Sequence, residues 1–168
     1  MNPRFYPHFL NISNITFPVT SCLKHLSELH CGSDNYPELF YQLSQICHNI
    51  QLLSIEFLQV PDGLADLITV QQNLKYLYII MQYDTYRQFV MCTYLTTDII
   101  NSLTKLPNTL IELDIYGEEL QIPLSFISTL TRLQIMILSL ENHNAFDDFV
   151  KLQYVTLSQL RVLKFQYP

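Results

Sequence analysis

The sequence is poor in glycine, in charge and in basic residues, and each shortage excludes a class of function. Only three glycines are present, Gly32, Gly63 and Gly117, so no glycine-rich loop can surround a phosphate group. The charged fraction is 14%, and the nine Lys and Arg residues are scattered singly along a chain of net charge −6. Nucleic acid is therefore not an expected partner, because phosphate binding needs clustered cations.

Long apolar runs are also missing. No stretch reaches about 18 consecutive apolar residues, so we expect no membrane span. The N-terminus has no apolar run of signal-peptide length before Asn11, which predicts an intracellular protein, in the cytoplasm or the nucleus. In a reducing compartment the cysteines are expected to be thiols rather than disulfides; they are Cys22, Cys31, Cys47 and Cys92.

The sequence does contain enough apolar residues for one folded unit. At 168 residues and 49% hydrophobic content, a single domain over 1–168 is expected, with a core that needs neither metal nor disulfides. The 12% aromatic content with so little charge also suggests an apolar surface that a partner covers.

One short pattern recurs along the chain: an apolar residue, two variable positions, an apolar residue, one variable position and an apolar residue. The copies begin at residues 26, 50, 74, 110, 133 and 160. All but one of the spacings between them fall in the range of about 20–29 residues typical of a leucine-rich repeat. The exception, from 74 to 110, predicts an insertion near 83–97 that lengthens a helix or forms a loop.

Each copy ends in alternating residues, which predicts strands of about three residues near 29–31, 53–55, 77–79, 113–115, 136–138 and 163–165. Between the copies the apolar period becomes helical. The expected helical stripes are Leu39/Leu43/Ile46/Cys47, Leu64/Leu67/Ile68, Ile99/Ile100/Leu103/Leu106, Leu124/Ile127/Leu130 and Phe146/Phe149/Val150/Tyr154.

Two α/β architectures alternate strands and helices in this way. One is a leucine-rich-repeat solenoid, a horseshoe with short parallel strands on the concave face and helices on the convex face. The other is a doubly wound sheet. The short strands and the repeated apolar residue three positions before each strand favour the solenoid.

The sequence resembles the leucine-rich-repeat region of fungal F-box proteins over about residues 17–167. The resemblance lies in the repeat copies and in the segments at 27–31, 37–40 and 62–68, the last of which leads into 73–77. The resemblance implies an array that selects the protein to be ubiquitinated, while a separate F-box docks on the ligase adaptor. Residues 1–20 do not read as the three helices of an F-box, so we expect no adaptor binding.

Signals for catalysis or metal binding are weak. There is no Gly-x-Ser-x-Gly motif, and the carboxylate pairs Glu118-Glu119 and Asp147-Asp148 are sequence neighbours, which typically mark solvated turns. A Cys/His group could be considered for zinc: Cys22, His25, His30, Cys31, Cys47 and His48. Because Cys31 and Cys47 fall on core positions, we expect buried thiols, with no metal, no cofactor and no enzyme activity.

The concave face is the candidate functional surface. Its variable positions include a protein-binding patch that we expect at Glu28, His30, Leu52, Tyr76, Tyr78, Glu112 and Asp114. The cores of protein interfaces are enriched in aromatic residues.

The first hypothesis for the function is a non-catalytic protein-binding module. The alternative is a truncated or degenerate repeat protein without a selected partner. At the C-terminal end of the array, we expect residues 160–167 to form an edge strand through which the chain associates with itself.

Overall fold

The fold is built from strands and helices that alternate along the chain. The computed structural model describes residues 23–32, 38–57, 61–81, 97–106, 108–117, 124–140 and 153–166. The strands are β1 (Glu28–Gly32), β2 (Leu52–Phe57), β3 (Tyr76–Met81), β4 (Glu112–Gly117), β5 (Ile135–Leu140) and β6 (Val162–Gln166). The helices are α1 (Leu39–Ile46), α2 (Leu64–Thr69), α3 (Thr97–Thr104) and a 3₁₀ helix (Leu124–Thr129).

The strands form one parallel six-stranded sheet in the order β1-β2-β3-β4-β5-β6. This order matches the sequence order, so each unit pairs with the next one along the chain. A doubly wound sheet reverses its strand order at a switch point, whereas this sheet does not. The arrangement is compatible with the solenoid that the repeat predicts.

The register aligns equivalent positions of the six copies. Leu29 pairs with Leu53, and the row continues across the sheet through Leu77, Leu113, Met136 and Leu163. A second row contains Cys31, Ile55, Ile79, Ile115, Leu138 and Phe165. In β1 to β5 both rows are buried. Equivalent residues of the repeat copies therefore lie side by side across the sheet.

The predicted strand length was wrong. The strands contain five or six residues, not about three. The alternation marked only the apolar residues, such as Leu29 and Cys31. Because the ladder joins backbone groups, it extends to flanking residues that are not apolar side chains, such as Glu28 and Gly32.

A backbone hydrogen-bond pattern repeats just before each strand from β2 to β6. The carbonyl of Ser27 accepts the N–H groups of Gln51 and Leu52, at 2.7 and 3.1 Å. The carbonyls of Gln51, Lys75, Ile111 and Gln134 each accept two consecutive N–H groups of the following unit in the same way. This ladder extends the pairing beyond the strand ends and holds successive units at one spacing.

The helices cover one face of the sheet. Successive helices contact each other, and their buried residues share one core cluster with the two buried strand rows. α1 buries Phe40 and Leu43, while Leu39 and Ile46 are only partly buried. Phe40, which is fully buried, was missing from the predicted stripe because helical spacing alone does not fix where the stripe is centred.

Gly63 permits the close packing of α1 against α2. Its φ of +75° lies in the left-handed region that favours glycine. A Cβ at this position would lie 2.5 Å from the backbone nitrogen of Tyr41, too close for any side chain. The Asp62-Gly63 step therefore sets both the start of α2 and its distance from α1.

The fourth predicted helix is a 3₁₀ helix rather than an α-helix. The N–H of Leu130 bonds the carbonyl of Ile127, three residues back, at 3.0 Å. Thr129 Oγ1 donates to the Phe126 carbonyl at 2.7 Å. Ser and Thr hydroxyls that bond nearby backbone carbonyls compete with the hydrogen bonds of an α-helix. The predicted apolar stripe is nevertheless buried at Ile127 and Leu130.

Two other predictions lie mostly outside the described residues. Of the expected insertion at 83–97, only Thr97 is described, and it begins α3. Of the fifth helical stripe, only Tyr154 is described. Its prediction as a buried residue was wrong: Tyr154 lies in a turn and is 83% exposed, so helical spacing does not apply there.

Candidate functional site

The sheet face opposite the helices is the candidate site. The side chains that alternate with the buried rows project there, and no described element packs over them. We call this surface the open face. All of the residues predicted from the sequence lie on it, in two rows: Glu28, Leu52, Tyr76 and Glu112 in the first, and His30, Tyr78 and Asp114 in the second.

The open face is not uniform in exposure. Glu28 and His30, on β1, are exposed, and so is Lys164 on β6. The positions on β2 to β4 are half-buried, among them Leu52, Tyr76, Tyr78, Glu112 and Asp114. The central positions are less exposed because β2 to β4 have a neighbouring strand on each side, whereas β1 and β6 are the first and last strands of the sheet order.

The structure brings the tyrosines and the carboxylates together. Tyr76 pairs with Glu112, and Tyr78 with Asp114, on the neighbouring strands β3 and β4. We call these four residues the central patch. Leu52 lies beside it on β2, whereas Glu28 and His30 lie one strand further away. The predicted site thus consists of a compact centre and a separate margin.

Tyr78 connects the two halves of the central patch. Its pKa is raised to about 12, first by burial, then by the charge of Glu112, by a side-chain hydrogen bond to that carboxylate and by the charge of Asp114. A neutral phenol can donate, so the hydroxyl of Tyr78 donates to Glu112. The phenol remains protonated at physiological pH, and the carboxylates keep a fixed donor beside them.

A third row on the open face was missed from the sequence. It contains Glu56, Ile80 and Tyr116, which are half-buried and paired in register. They were missed because the strands were predicted too short. The signal was available: the alternation of Tyr76 and Tyr78 continues at Ile80, and that of Glu112 and Asp114 continues at Tyr116.

The cysteines and histidines do not converge in the part of the chain that the structure describes. Cys31 and Cys47 are buried free thiols, and burial raises the pKa of Cys31 to about 12 and that of Cys47 in the same direction. Cys47 Sγ donates to the Leu23 carbonyl at 3.3 Å. His30 is on the open face, while His25 and His48 line a shallow surface depression. Within the described ranges no group of three or more His, Cys, Asp or Glu residues could hold a metal ion.

Among the described helices, none combines the length and apolar character that crossing a bilayer requires. Comparison with protein-family models, with curated proteins and with solved structures finds no match to this chain.

Proposed function

We propose that the chain is a non-catalytic protein-binding module of the leucine-rich-repeat type, which binds a partner protein on the open face. Its role resembles that of the substrate-recognition array in F-box ubiquitin-ligase subunits. The observation that carries the proposal is the central patch: half-buried tyrosines and carboxylates on adjacent strands, on a sheet face over which no described element packs.

The physical argument rests on what an in-register parallel sheet presents. Each unit contributes side chains at fixed spacing, so the face is rigid and loses little conformational entropy on binding. Tyrosine supplies a large contact area with a polar end, and apolar neighbours such as Leu52, Ile135 and Ile137 extend it. Such a surface suits a protein partner more than a small molecule, which would need a concave pocket.

The test is affinity capture from the source cell with the wild-type chain and the double variant Tyr76→Ala/Tyr78→Glu. We expect the variant to lose partner capture, because it removes two rings and adds a third carboxylate beside Glu112 and Asp114. Mass spectrometry of the bound proteins gives the readout, and circular dichroism checks that the fold is retained.

The matched control is Tyr41→Ala/Gln42→Glu on α1, where both side chains are exposed. It also removes tyrosine and adds a carboxylate, but on the helical side, so partner capture should be unchanged. Equal loss in both variants, or equal retention of every captured protein, would overturn binding through the open face.

A further inference from the structure

At the centre of the open face, the charged side chains of the described strands are all acidic. Glu56, Glu112 and Asp114 lie on β2 and β4, and no open-face position of β2 to β5 carries Lys, Arg or His. The imidazole of His30 and the ammonium group of Lys164 lie on the open face only at its margins, on β1 and β6, among the described strands. A partner that covers the centre must therefore bring positive charge or lose hydration energy from buried carboxylates.

The central patch places aromatic rings and carboxylates within reach of one cationic group. Adjacent strands lie about 4.8 Å apart, and residues two apart along a strand are separated by about 6.6 Å. Tyr76 and Tyr78 therefore lie along one side of Glu112 and Asp114, with about 4.8 Å between the two strands. Aromatic faces attract cations, and a carboxylate accepts paired hydrogen bonds from the planar guanidinium group.

The hydrogen bond from Tyr78 to Glu112 favours this use. A carboxylate has about four acceptor positions, so the single phenol donor leaves most of them available while limiting rotation of the Glu112 side chain. An exposed ion pair contributes almost no net binding energy because water and salt screen its charges. The half-burial of these carboxylates reduces that screening. Arginine suits such a site better than lysine, since guanidinium is less strongly hydrated and stacks on tyrosine.

We infer that the central patch receives an arginine side chain from a basic segment of the partner protein, with Glu112 and Asp114 accepting its hydrogen bonds and Tyr76 and Tyr78 packing against its plane. Leu52, Ile135 and Ile137 would contact apolar residues on either side of that arginine. This inference rests on the proposed function and specifies the chemistry of the partner.

The experiment selects short random peptides, displayed on phage, against the immobilised full chain. We expect retained peptides to be enriched in arginine, and a synthetic copy in which citrulline replaces the arginine to bind about tenfold more weakly or worse, because citrulline keeps the shape without the charge. Arginine-free peptides binding the central patch equally well, or retention of no peptide above background, would overturn the inference.

Paired variants with equal charge change locate the binding. Glu112→Gln/Asp114→Asn should abolish binding of the arginine peptide. Asp62→Asn/Asp66→Asn, which changes exposed acids at α2, should leave it intact. Equal binding to both variants would overturn the inference. A captured partner that depends on Tyr76 and Tyr78 but not on Glu112 and Asp114 would overturn it too, while leaving the proposed function standing.

Discussion

At the scale of single residues, Tyr78 shows how a surface position acquires unusual chemistry. Its neighbours on β4 contribute two carboxylates, and the side chain is half-buried on the open face. Burial and negative charge both oppose formation of a phenolate, and for that reason its pKa rises to about 12. The same arrangement makes Tyr78 a hydrogen-bond donor at any pH at which the protein is expected to function.

This pKa predicts how stability changes with pH. Tyrosine ionises near pH 10 in an unfolded chain, so between about pH 10 and 12 the folded state holds a proton that the unfolded state has lost, and the free energy of unfolding falls as pH rises. Tyr78→Phe should flatten this fall. Urea unfolding across that pH range measures it, with Tyr154→Phe as control; identical slopes for wild type and Tyr78→Phe would contradict the prediction.

At the scale of elements, a buried side chain connects one unit to the next. Gln71 follows α2 and is 1% exposed. Its Nε2 donates to the carbonyls of Cys47 and Leu67, at 2.6 and 2.9 Å, and its Oε1 accepts the N–H of Ile50 at 2.9 Å. Exposed pairs repeat the link at the surface, from Asn73 to Asn49 and from Lys75 to Gln51.

Substitution of Gln71 should destabilise the chain strongly. Gln71→Ala leaves buried backbone groups without partners, and we expect a loss of about 2–4 kcal/mol in the free energy of unfolding. Gln71→Met fills the space but makes no hydrogen bonds, so its free energy of unfolding should fall nearly as far as that of Gln71→Ala. Gln72→Ala, at the exposed neighbouring position, should change stability by less than about 0.5 kcal/mol. Urea unfolding that ranks Gln71→Met with Gln72→Ala would contradict this account.

At the scale of the whole molecule, the last described strand differs from the others. Leu163 and Phe165 continue the two rows that are buried in β1 to β5, yet each is 44% exposed. The described residues place no strand beyond β6, and an edge strand with exposed apolar residues favours pairing with another chain. Lys164 is the charged residue within β6 that opposes such pairing.

We therefore expect association that depends on protein concentration and involves β6. Leu163→Glu/Phe165→Glu should shift the protein toward monomer, because charge on both apolar positions would have to be buried on pairing. Light scattering across a concentration series measures the effect. Gln42→Glu/Gln72→Glu adds the same charge at exposed positions and should leave association unchanged. A wild-type chain that is monomeric at every concentration would contradict this expectation.

The sequence by itself determined the repeat, and with it the register of the sheet. Each copy places apolar residues at the same three positions, and burying them all requires adjacent copies to pair in register, as Leu29 and Leu53 do. The composition of the open face follows from the same alternation. The residues now seen at its centre, Tyr76, Tyr78, Glu112 and Asp114, could therefore be predicted.

Only the tertiary structure decided the strand lengths, the 3₁₀ helix and the inner contacts of the central patch. Strand ends depend on backbone pairing with a neighbour, which local side-chain patterns do not encode. The third open-face row at Glu56, Ile80 and Tyr116 appeared for that reason. The hydrogen bond from Tyr78 to Glu112 joins strands separated by a long connection, so no local spacing could reveal it. It exists because six parallel strands place equivalent positions of successive units side by side.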